Sequence, residues 1–206
     1  RAAHVVAVDT ETASLDSVTG DLVGVSLSVG PGKACYIPLG HGGTDMFAEK
    51  PDQIAMADAI GRLRTLFADD AVLKVGHNLK YDIGVLAQHD VVVAPYDDTL
   101  VMSFALDAGK HQHGLDELSK LHLDHACLSF KDVCGTGKSQ ISFAEVQLSR
   151  ATEYAAEDAD VTLRLWKLLK LRLPIEGGTR VYEMVDRPLA AIVEGMERAG
   201  IMVNRD

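Results

Sequence analysis

The sequence predicts an α/β domain, on two features of its pattern. Strand-like apolar segments occupy residues 4–39, and segments of helix and strand character then alternate as far as about residue 98. Helical patterns fill the remainder. A chain of 206 residues, 47% of them hydrophobic, is long enough to bury one substantial core.

Strands dominate the first part of the chain. Residues 4–9, 22–29 and 33–39 are apolar segments bounded by turn-forming residues, and Gly30-Pro31-Gly32 joins the last two. Because that turn is short, we expect an antiparallel meander. The loop that follows, 40–51, is expected to be a mobile surface.

Helix and strand alternate next. A helix over 52–67 precedes a short apolar strand over 71–75, and a second helix then begins with Asn78 as its expected N-cap. A short strand over either 91–93 or 95–97 leads into a helix capped by Asp98. Further helices are expected over 115–121, 145–173 and 180–199.

The first strand ends in two acids. Asp9 and Glu11 are one residue apart, so the period of two in a strand points both carboxylates to the same side. Two buried like charges repel each other, and a cation would compensate them. Carboxylate oxygens suit Mg²⁺ or Mn²⁺. The pair therefore predicts part of a metal site, although exposed strand ends also often have acids.

Two helices each present one further acid on an apolar face. Asp82 shares a stripe with Leu79 and Leu86, which turns it toward the core, although a first-turn acid also suits the helix dipole. Tyr154 and Asp158 lie one turn apart on the inward stripe of the later helix, where Tyr154 could equally be a core tyrosine. The acids of that helix expected on its solvated face are Glu153, Glu157 and Asp160.

These motifs, in this order and spacing, resemble the DEDD superfamily of 3′→5′ exonucleases. Tyr154, where other members have a histidine, places the chain with the DEDDy branch. The segments Asp9-Thr10-Glu11-Thr12, 78–82 and 154–160 are similar to the proofreading domain of bacterial DNA polymerase I. The resemblance covers nearly the whole chain.

The resemblance implies a ribonuclease-H-like fold, a mixed five-stranded sheet flanked by helices. Residues 1–175 would form the exonuclease domain, and residues 176–206 a helical connector similar to the start of the polymerase domain. The domain would remove nucleoside 5′-monophosphates from DNA 3′ ends with two divalent cations, Mg²⁺ or Mn²⁺. The polymerase domain of the same parent chain would be its partner.

The family also implies a role for each site residue. Asp9 would bridge both ions, Glu11 and Asp158 would hold the water-activating ion, and Asp82 would support the second ion through water. Tyr154 would orient the attacking water. The family positions expected to contact substrate are Leu15, which wedges against terminal bases, Phe143, which stacks on a base, and Asn78, Lys80 and Tyr81 near the terminal nucleotide.

Charge and cysteine content limit the partners. The net charge is −10, from 30 acids against 20 bases, which argues against a broad duplex-binding face. The charge is compatible with the substrate that the resemblance implies, a single-stranded or frayed DNA 3′ end, if the site handles only the last few nucleotides. Three cysteines without CxxC spacing suit reduced thiols in a cytoplasmic protein. No apolar run approaches the twenty or so residues that a membrane-spanning helix needs. A monomer is the default expectation for such a domain.

Three alternatives remain open on the sequence. The interval 111–134 is rich in histidine and cysteine, which raises a structural zinc, but no pair there matches a finger or ribbon. The same active-site residues would serve an RNA 3′-end trimming nuclease, since only contacts to the 2′-hydroxyl distinguish the two polymers. A degenerate domain, retained for structure or strand binding, is the third.

Overall fold

A computed structural model describes residues 3–42 and 51–204 and shows one sheet between layers of helices. Residues 43–50, most of the loop for which mobility was expected, lie outside the described residues. The sheet has five strands. They are β1 (Val5–Thr12), β2 (Leu22–Gly30), β3 (Lys33–Pro38), β4 (Leu73–Gly76) and β5 (Tyr96–Asp98).

The strand order, β3-β2-β1-β4-β5, is that of a ribonuclease-H-like sheet. β1, β2 and β3 pair antiparallel as the expected meander, whereas β4 pairs with β1, and β5 with β4, in parallel. This confirms the predicted α/β class and mixed sheet. Of the two positions considered for the last strand, the structure has the later one.

The helices follow the predicted order with altered ends. They are α1 (Met56–Phe67), α2 (Leu79–Ala87), α3 (Thr99–Asp107), α4 (Leu115–Leu123), α5 (Phe130–Cys134), α6 (Leu148–Ile175), α7 (Thr179–Val181) and α8 (Arg187–Ala199). A π-helical turn, Tyr182–Asp186, interrupts the helix expected over 180–199. α5 was not predicted, because five residues are too few to show a helical period. No helix in the described ranges combines the length and hydrophobicity needed to cross a membrane.

The two faces of β1 meet different helices. Val8 packs with Phe67 of α1 and Val85 of α2 on one side of the sheet. Ala7 packs with Leu163 of α6 on the other side. Because side chains alternate along a strand, Asp9 shares the face of Ala7, toward α6. The sheet and α6 therefore enclose the acids that end β1.

One buried carboxylate caps two helices. Asn78 is the N-cap residue of α2, as expected, in a left-handed conformation (φ 62°), but among the described residues its side chain makes no capping hydrogen bond. Asp98 accepts instead from the backbone N–H groups of Asn78 and Leu79, at 3.1 and 2.8 Å. It also accepts from Leu100 and Val101, at 2.9 and 3.2 Å, which confirms it as the cap of α3.

The segment after α6 is tied to β5. Tyr182 is fully buried, and its hydroxyl donates to Asp97 Oδ1 at 2.9 Å while accepting from the backbone N–H of Asp98 at 3.0 Å. Trp166 Nε1 of α6 donates to the other Asp97 oxygen at 2.8 Å, and Arg187 pairs with Asp97 at 3.3 Å. These contacts fix α6 and the start of α8 on the sheet.

Candidate active site

Three carboxylates from two elements meet at the end of β1. Asp9 and Glu11 come from the strand and Asp158 from α6, and each offers an oxygen within 4.8 Å of the others. The period of two in the strand and the inward stripe of the helix were both visible in the sequence. Their meeting follows from α6 packing across the face of the sheet that contains Ala7.

Burial makes ionisation of these acids unfavourable. It raises the pKa of Asp9 to about 7. It raises the pKa of Glu11 and of Asp158 well above their usual values, and the negative charge of Asp9 raises both further. A cluster of this kind holds its full negative charge at neutral pH only when a cation compensates it.

The residues fit a divalent cation. Glu11 Oε1 is buried and has no hydrogen-bond partner among residues 3–42 and 51–204. A buried carboxylate oxygen without a partner is unfavourable, whereas coordination to a cation would satisfy it. The donors are all carboxylate oxygens, which suit hard divalent ions. The cluster can therefore hold a metal ion.

A glycine opposite Glu11 makes room for the site. Gly24 pairs with Glu11 across β1 and β2, and a Cβ there would lie 2.2 Å from the hydroxyl of Tyr36. The Tyr36 hydroxyl is hydrogen-bonded to His41 Nε2 at 2.7 Å. Burial, followed by the charges of Glu11 and Asp9, raises the pKa of Tyr36, which keeps its hydroxyl neutral beside the acids.

Asp82 lies beside the cluster without joining its set of converging oxygens. Its Oδ1 accepts from the backbone N–H of Thr10 at 2.8 Å and from the Thr10 hydroxyl at 2.7 Å. Thr10 alternates with Asp9 along β1 and shares the face of Val8, toward α2. Asp82 is nevertheless buried, and burial, followed by the charge of nearby Asp9, raises its pKa well above its usual value. It is therefore poised at the edge of the carboxylate cluster.

Tyr154 lies one turn before Asp158 and faces it. Burial, followed by the negative charge of the Asp158 carboxylate, raises the pKa of the phenol. The ring packs against Phe143 and Phe130, with centroid distances of 5.8 and 6.4 Å. Tyr154 is thus a packing residue whose hydroxyl lies close enough to the carboxylate cluster for the charges of Asp158 and Glu11 to act on it.

A cleft of about 750 Å³ opens beside Glu11. Leu15, 95% exposed, stands at its edge. The Tyr81 hydroxyl donates to the backbone carbonyl of Ser14 at 2.9 Å and is hydrogen-bonded to the Thr12 hydroxyl. Tyr81 therefore fixes the loop that presents Leu15, so the structure places both residues at one cleft.

The aromatic residue exposed at this cleft is Phe130. Phe143, for which base stacking was expected, is 1% exposed and belongs to the core beneath the cleft. Phe130, 39% exposed, stacks on it with an interplanar angle of 17°. In this structure Phe143 offers no open face, and Phe130 is the ring that a base could reach. The sequence gives no signal for Phe130, because it begins the short helix α5.

The other residues expected to contact the substrate lie at the start of α2. Asn78 is exposed, whereas Lys80 is partly buried and its Nζ pairs with Glu197 of α8 at 2.6 and 2.5 Å.

Two acids of α6 that were expected to be solvated form specific hydrogen bonds instead. Glu157 accepts from His125 and Leu128, and Asp160 accepts from the backbone N–H of Gly32 at 2.7 Å. The solvated interpretation is wrong for those two acids, because loops from distant parts of the chain cover them.

The fold and the cluster define a class of protein: an α/β domain whose buried carboxylates fit a divalent cation. The 3′-5′ exonuclease family matches residues 1–174, and the chain belongs to that family. The domain is therefore a hydrolytic nuclease, as the sequence motifs indicated.

Curated relatives of the chain are DNA polymerases I. The chain is 45% identical over 218 residues to DNA polymerase I of Rhizobium leguminosarum, a match that covers 100% of this chain and 22% of the relative. It is 37% identical over 206 residues to that of Pseudomonas aeruginosa, with coverage of 98% and 22%. The chain thus spans about a fifth of the length of these relatives.

A solved structure provides an example of a similar fold with a bound metal ion. Brucella melitensis NrnC with bound Mg²⁺ has a TM-score of 0.69 and 25% sequence identity, covering 97% of this chain and 89% of NrnC. A protein of similar fold therefore binds the kind of cation that the carboxylate cluster fits.

Proposed function

We propose that this domain hydrolyses the last phosphodiester bond at the 3′ end of a DNA strand and releases nucleoside 5′-monophosphates, as the proofreading part of a DNA polymerase. The observation that supports it best is the meeting of Asp9, Glu11 and Asp158 within 4.8 Å beside an open cleft. One buried Glu11 oxygen there has no hydrogen-bond partner among the described residues.

The cofactor in this proposal is a pair of divalent ions, Mg²⁺ or Mn²⁺. Asp9, Glu11 and Asp158 would hold them, and Asp82 would support the second ion indirectly, in keeping with its place outside the converging oxygens. When bound, the ions supply positive charge that favours deprotonation of water and stabilises the negative charge of the phosphate oxygens.

The protein's own groups align the reacting atoms. The water loses a proton as its oxygen bonds to the terminal phosphorus, and the bond from phosphorus to the 3′ oxygen of the preceding nucleotide breaks. That oxygen takes up a proton, so the shortened strand leaves with a 3′-hydroxyl. Tyr154, one turn before Asp158 on α6, would position that water through its hydroxyl. Its raised pKa keeps the phenol protonated, so it acts as a hydrogen-bond donor.

The cleft would favour an unpaired DNA 3′ end over a base-paired one. Leu15 and Phe130 place an aliphatic and an aromatic surface where an unpaired terminal base would lie, and a base stacked on an aromatic ring gains about 1–3 kcal/mol whatever its sequence. Asn78, Lys80 and Tyr81 would contact the terminal nucleotide. Lys80 would first exchange Glu197 for a phosphate.

The same proposal extends to the parent protein. Residues 1–175 would be the exonuclease domain, which agrees with the family match to residue 174 and with the end of α6 at Ile175. Residues 176–206 would connect it to a polymerase domain, since the relatives extend far beyond this region. We place the protein in the cytoplasm and expect the isolated domain to be a monomer.

The test is digestion of 5′-labelled single-stranded DNA and RNA by the domain. With Mg²⁺ or Mn²⁺ we expect a ladder of DNA shortened from the 3′ end, with nucleoside 5′-monophosphates as products, and no reaction in EDTA. Asp82→Ala should lower turnover at least about 10³-fold, because it removes support for the metal rather than a packing group.

Other outcomes would contradict the proposal in distinct ways. Preference for RNA would identify an RNA 3′-end trimming nuclease instead. No hydrolysis of either polymer, together with intact strand binding, would identify a degenerate domain. A loss below tenfold in Asp82→Ala would remove Asp82 from the site.

A further inference from the structure

We propose a second metal site, separate from the carboxylate cluster, at which Asp107, His111 and His122 bind Zn²⁺. The three side chains each offer a ligand atom within 4.8 Å of the others. Asp107 ends α3, His111 lies in the loop that follows, and His122 lies in the last turn of α4. The sequence showed histidines in this interval, but only the fold adds the carboxylate.

The hydrogen bonds of His111 leave a lone pair for the metal. Its Nδ1 lies 2.7 Å from the backbone carbonyl oxygen of Gln112, and because a carbonyl only accepts, Nδ1 has the proton. In the neutral ring Nε2 is then the acceptor, and it lies 3.7 Å from Asp107 Oδ2. Metal-binding histidines commonly donate their other N–H to a backbone carbonyl in this way.

His122 gives an independent indication of a ligand. Its Nε2 is buried and has no hydrogen-bond partner in the described part of the chain. Such a nitrogen is unfavourable in a folded protein unless an ion or a water satisfies it. The ring of His122 lies 6.0 Å from that of His111, centroid to centroid.

The cations already near Asp107 can be accommodated. Lys110 Nζ lies 2.8 Å from Asp107 Oδ1, but its side chain is 65% exposed and free to turn into solvent. Arg172 lies 2.9 Å from Asp107 Oδ2 and also holds Glu176 through two hydrogen bonds of 2.6 and 2.9 Å. Arg172 therefore keeps an anionic partner when Asp107 binds a metal.

There is room for the remaining ligands. A cavity of about 440 Å³ is lined by the three residues together with Leu121, Leu168 and Arg172. Water can complete the coordination from that side. Two imidazoles with one carboxylate suit zinc, which favours nitrogen donors and four ligands, better than Mg²⁺, which favours oxygen.

The site is distinct from the active centre. Arg172 borders it, and Asp158 of the carboxylate cluster is on the same helix, about 21 Å away along the axis at about 1.5 Å per residue. A bound Zn²⁺ would join the end of α3 to the end of α4 and so stiffen the connection between these helices. The proposal does not depend on the exonuclease function.

The test is Zn²⁺ titration of the metal-stripped chain by calorimetry in excess Mg²⁺, with Co²⁺ absorbance as a second probe. We expect one Zn²⁺ per chain and visible bands of Co²⁺ bound by nitrogen, both retained in Asp9→Asn. His122→Gln and His111→Ala should each weaken binding about 100-fold or more, since loss of an outer partner alone costs about 10–100-fold. Circular dichroism would verify that both variants fold.

The matched control is His125→Ala. His125, Cys127 and Glu157 also converge within 4.8 Å, so this variant tests the neighbouring group directly. Zn²⁺ binding should be unchanged in His125→Ala. The proposal would be overturned if Zn²⁺ binding were lost in His125→Ala but retained in His122→Gln, or if it were lost in Asp9→Asn. Wild-type Zn²⁺ affinity in both His122→Gln and His111→Ala would also overturn it.

Discussion

Asp9→Asn should stabilise the metal-free domain while abolishing catalysis. The asparagine keeps the shape of Asp9 and removes one charge from the buried carboxylate cluster. In the wild type the pKa of Asp9 rises from 3.8 to about 7, chiefly through burial. A group whose pKa is raised by folding destabilises the folded state when it is ionised.

The magnitude follows from that shift. Each pKa unit is worth about 1.36 kcal/mol, so the ionised carboxylate costs the folded protein about 4 kcal/mol at most. Asp9 is partly exposed and solvent screens part of that cost, so we expect a gain of about 2 kcal/mol. For a domain of this size that raises Tm by about 4–8 °C.

The pH dependence has a definite sign. The cost is absent below the unfolded pKa of 3.8, grows as pH rises, and is complete above about 7. Asp9→Asn should therefore raise Tm in EDTA at about pH 8 and change it little near pH 4. Excess Mg²⁺ should reverse the order, because a ligand at 100 times its Kd adds about 2.7 kcal/mol to the wild type alone.

The assay is thermal unfolding by circular dichroism with and without EDTA. Asp21→Asn is the matched control, since it removes the same charge from an exposed side chain and should change stability by less than about 0.5 kcal/mol. An unchanged or lower Tm for Asp9→Asn at about pH 8 in EDTA would refute the electrostatic argument. A turnover loss below tenfold would refute its role as a ligand.

Four further predictions concern the cleft and the chemistry. Tyr154→Phe should keep metal binding yet slow hydrolysis by roughly 10²-fold, because it deletes only the hydroxyl that positions water; an unchanged rate would leave Tyr154 as a core residue. Phe130→Ala should weaken single-strand binding by about 1–3 kcal/mol in a filter or anisotropy assay and leave the fold intact. Phe143→Ala should instead cost about 3–5 kcal/mol of stability, because the ring is buried, and the opposite pattern would restore Phe143 as the stacking residue. Initial rates should fall from single strand to mismatched primer to matched primer, by roughly tenfold for each terminal pair that must open, and equal rates on all three would contradict proofreading.

The sequence by itself determined the direction of each candidate active-site side chain within its own element. The period of two placed Asp9 and Glu11 on one side of β1, and the helical stripe placed Tyr154 beside Asp158. Their order along the chain also determined the family, which the match over residues 1–174 confirms. These properties are local or linear, so no tertiary contact was needed to predict them.

Only the tertiary structure decided how the elements meet. Packing of α6 across β1 brings Asp158 within 4.8 Å of the strand acids, and packing of α2 on the opposite face attaches Asp82 to Thr10. The tertiary structure also buries Phe143 beneath Phe130. In the same way it brings together the three residues of the proposed zinc site. A periodic pattern fixes an angle around one helix or strand, whereas distances between elements depend on how their side chains pack, which no single segment encodes.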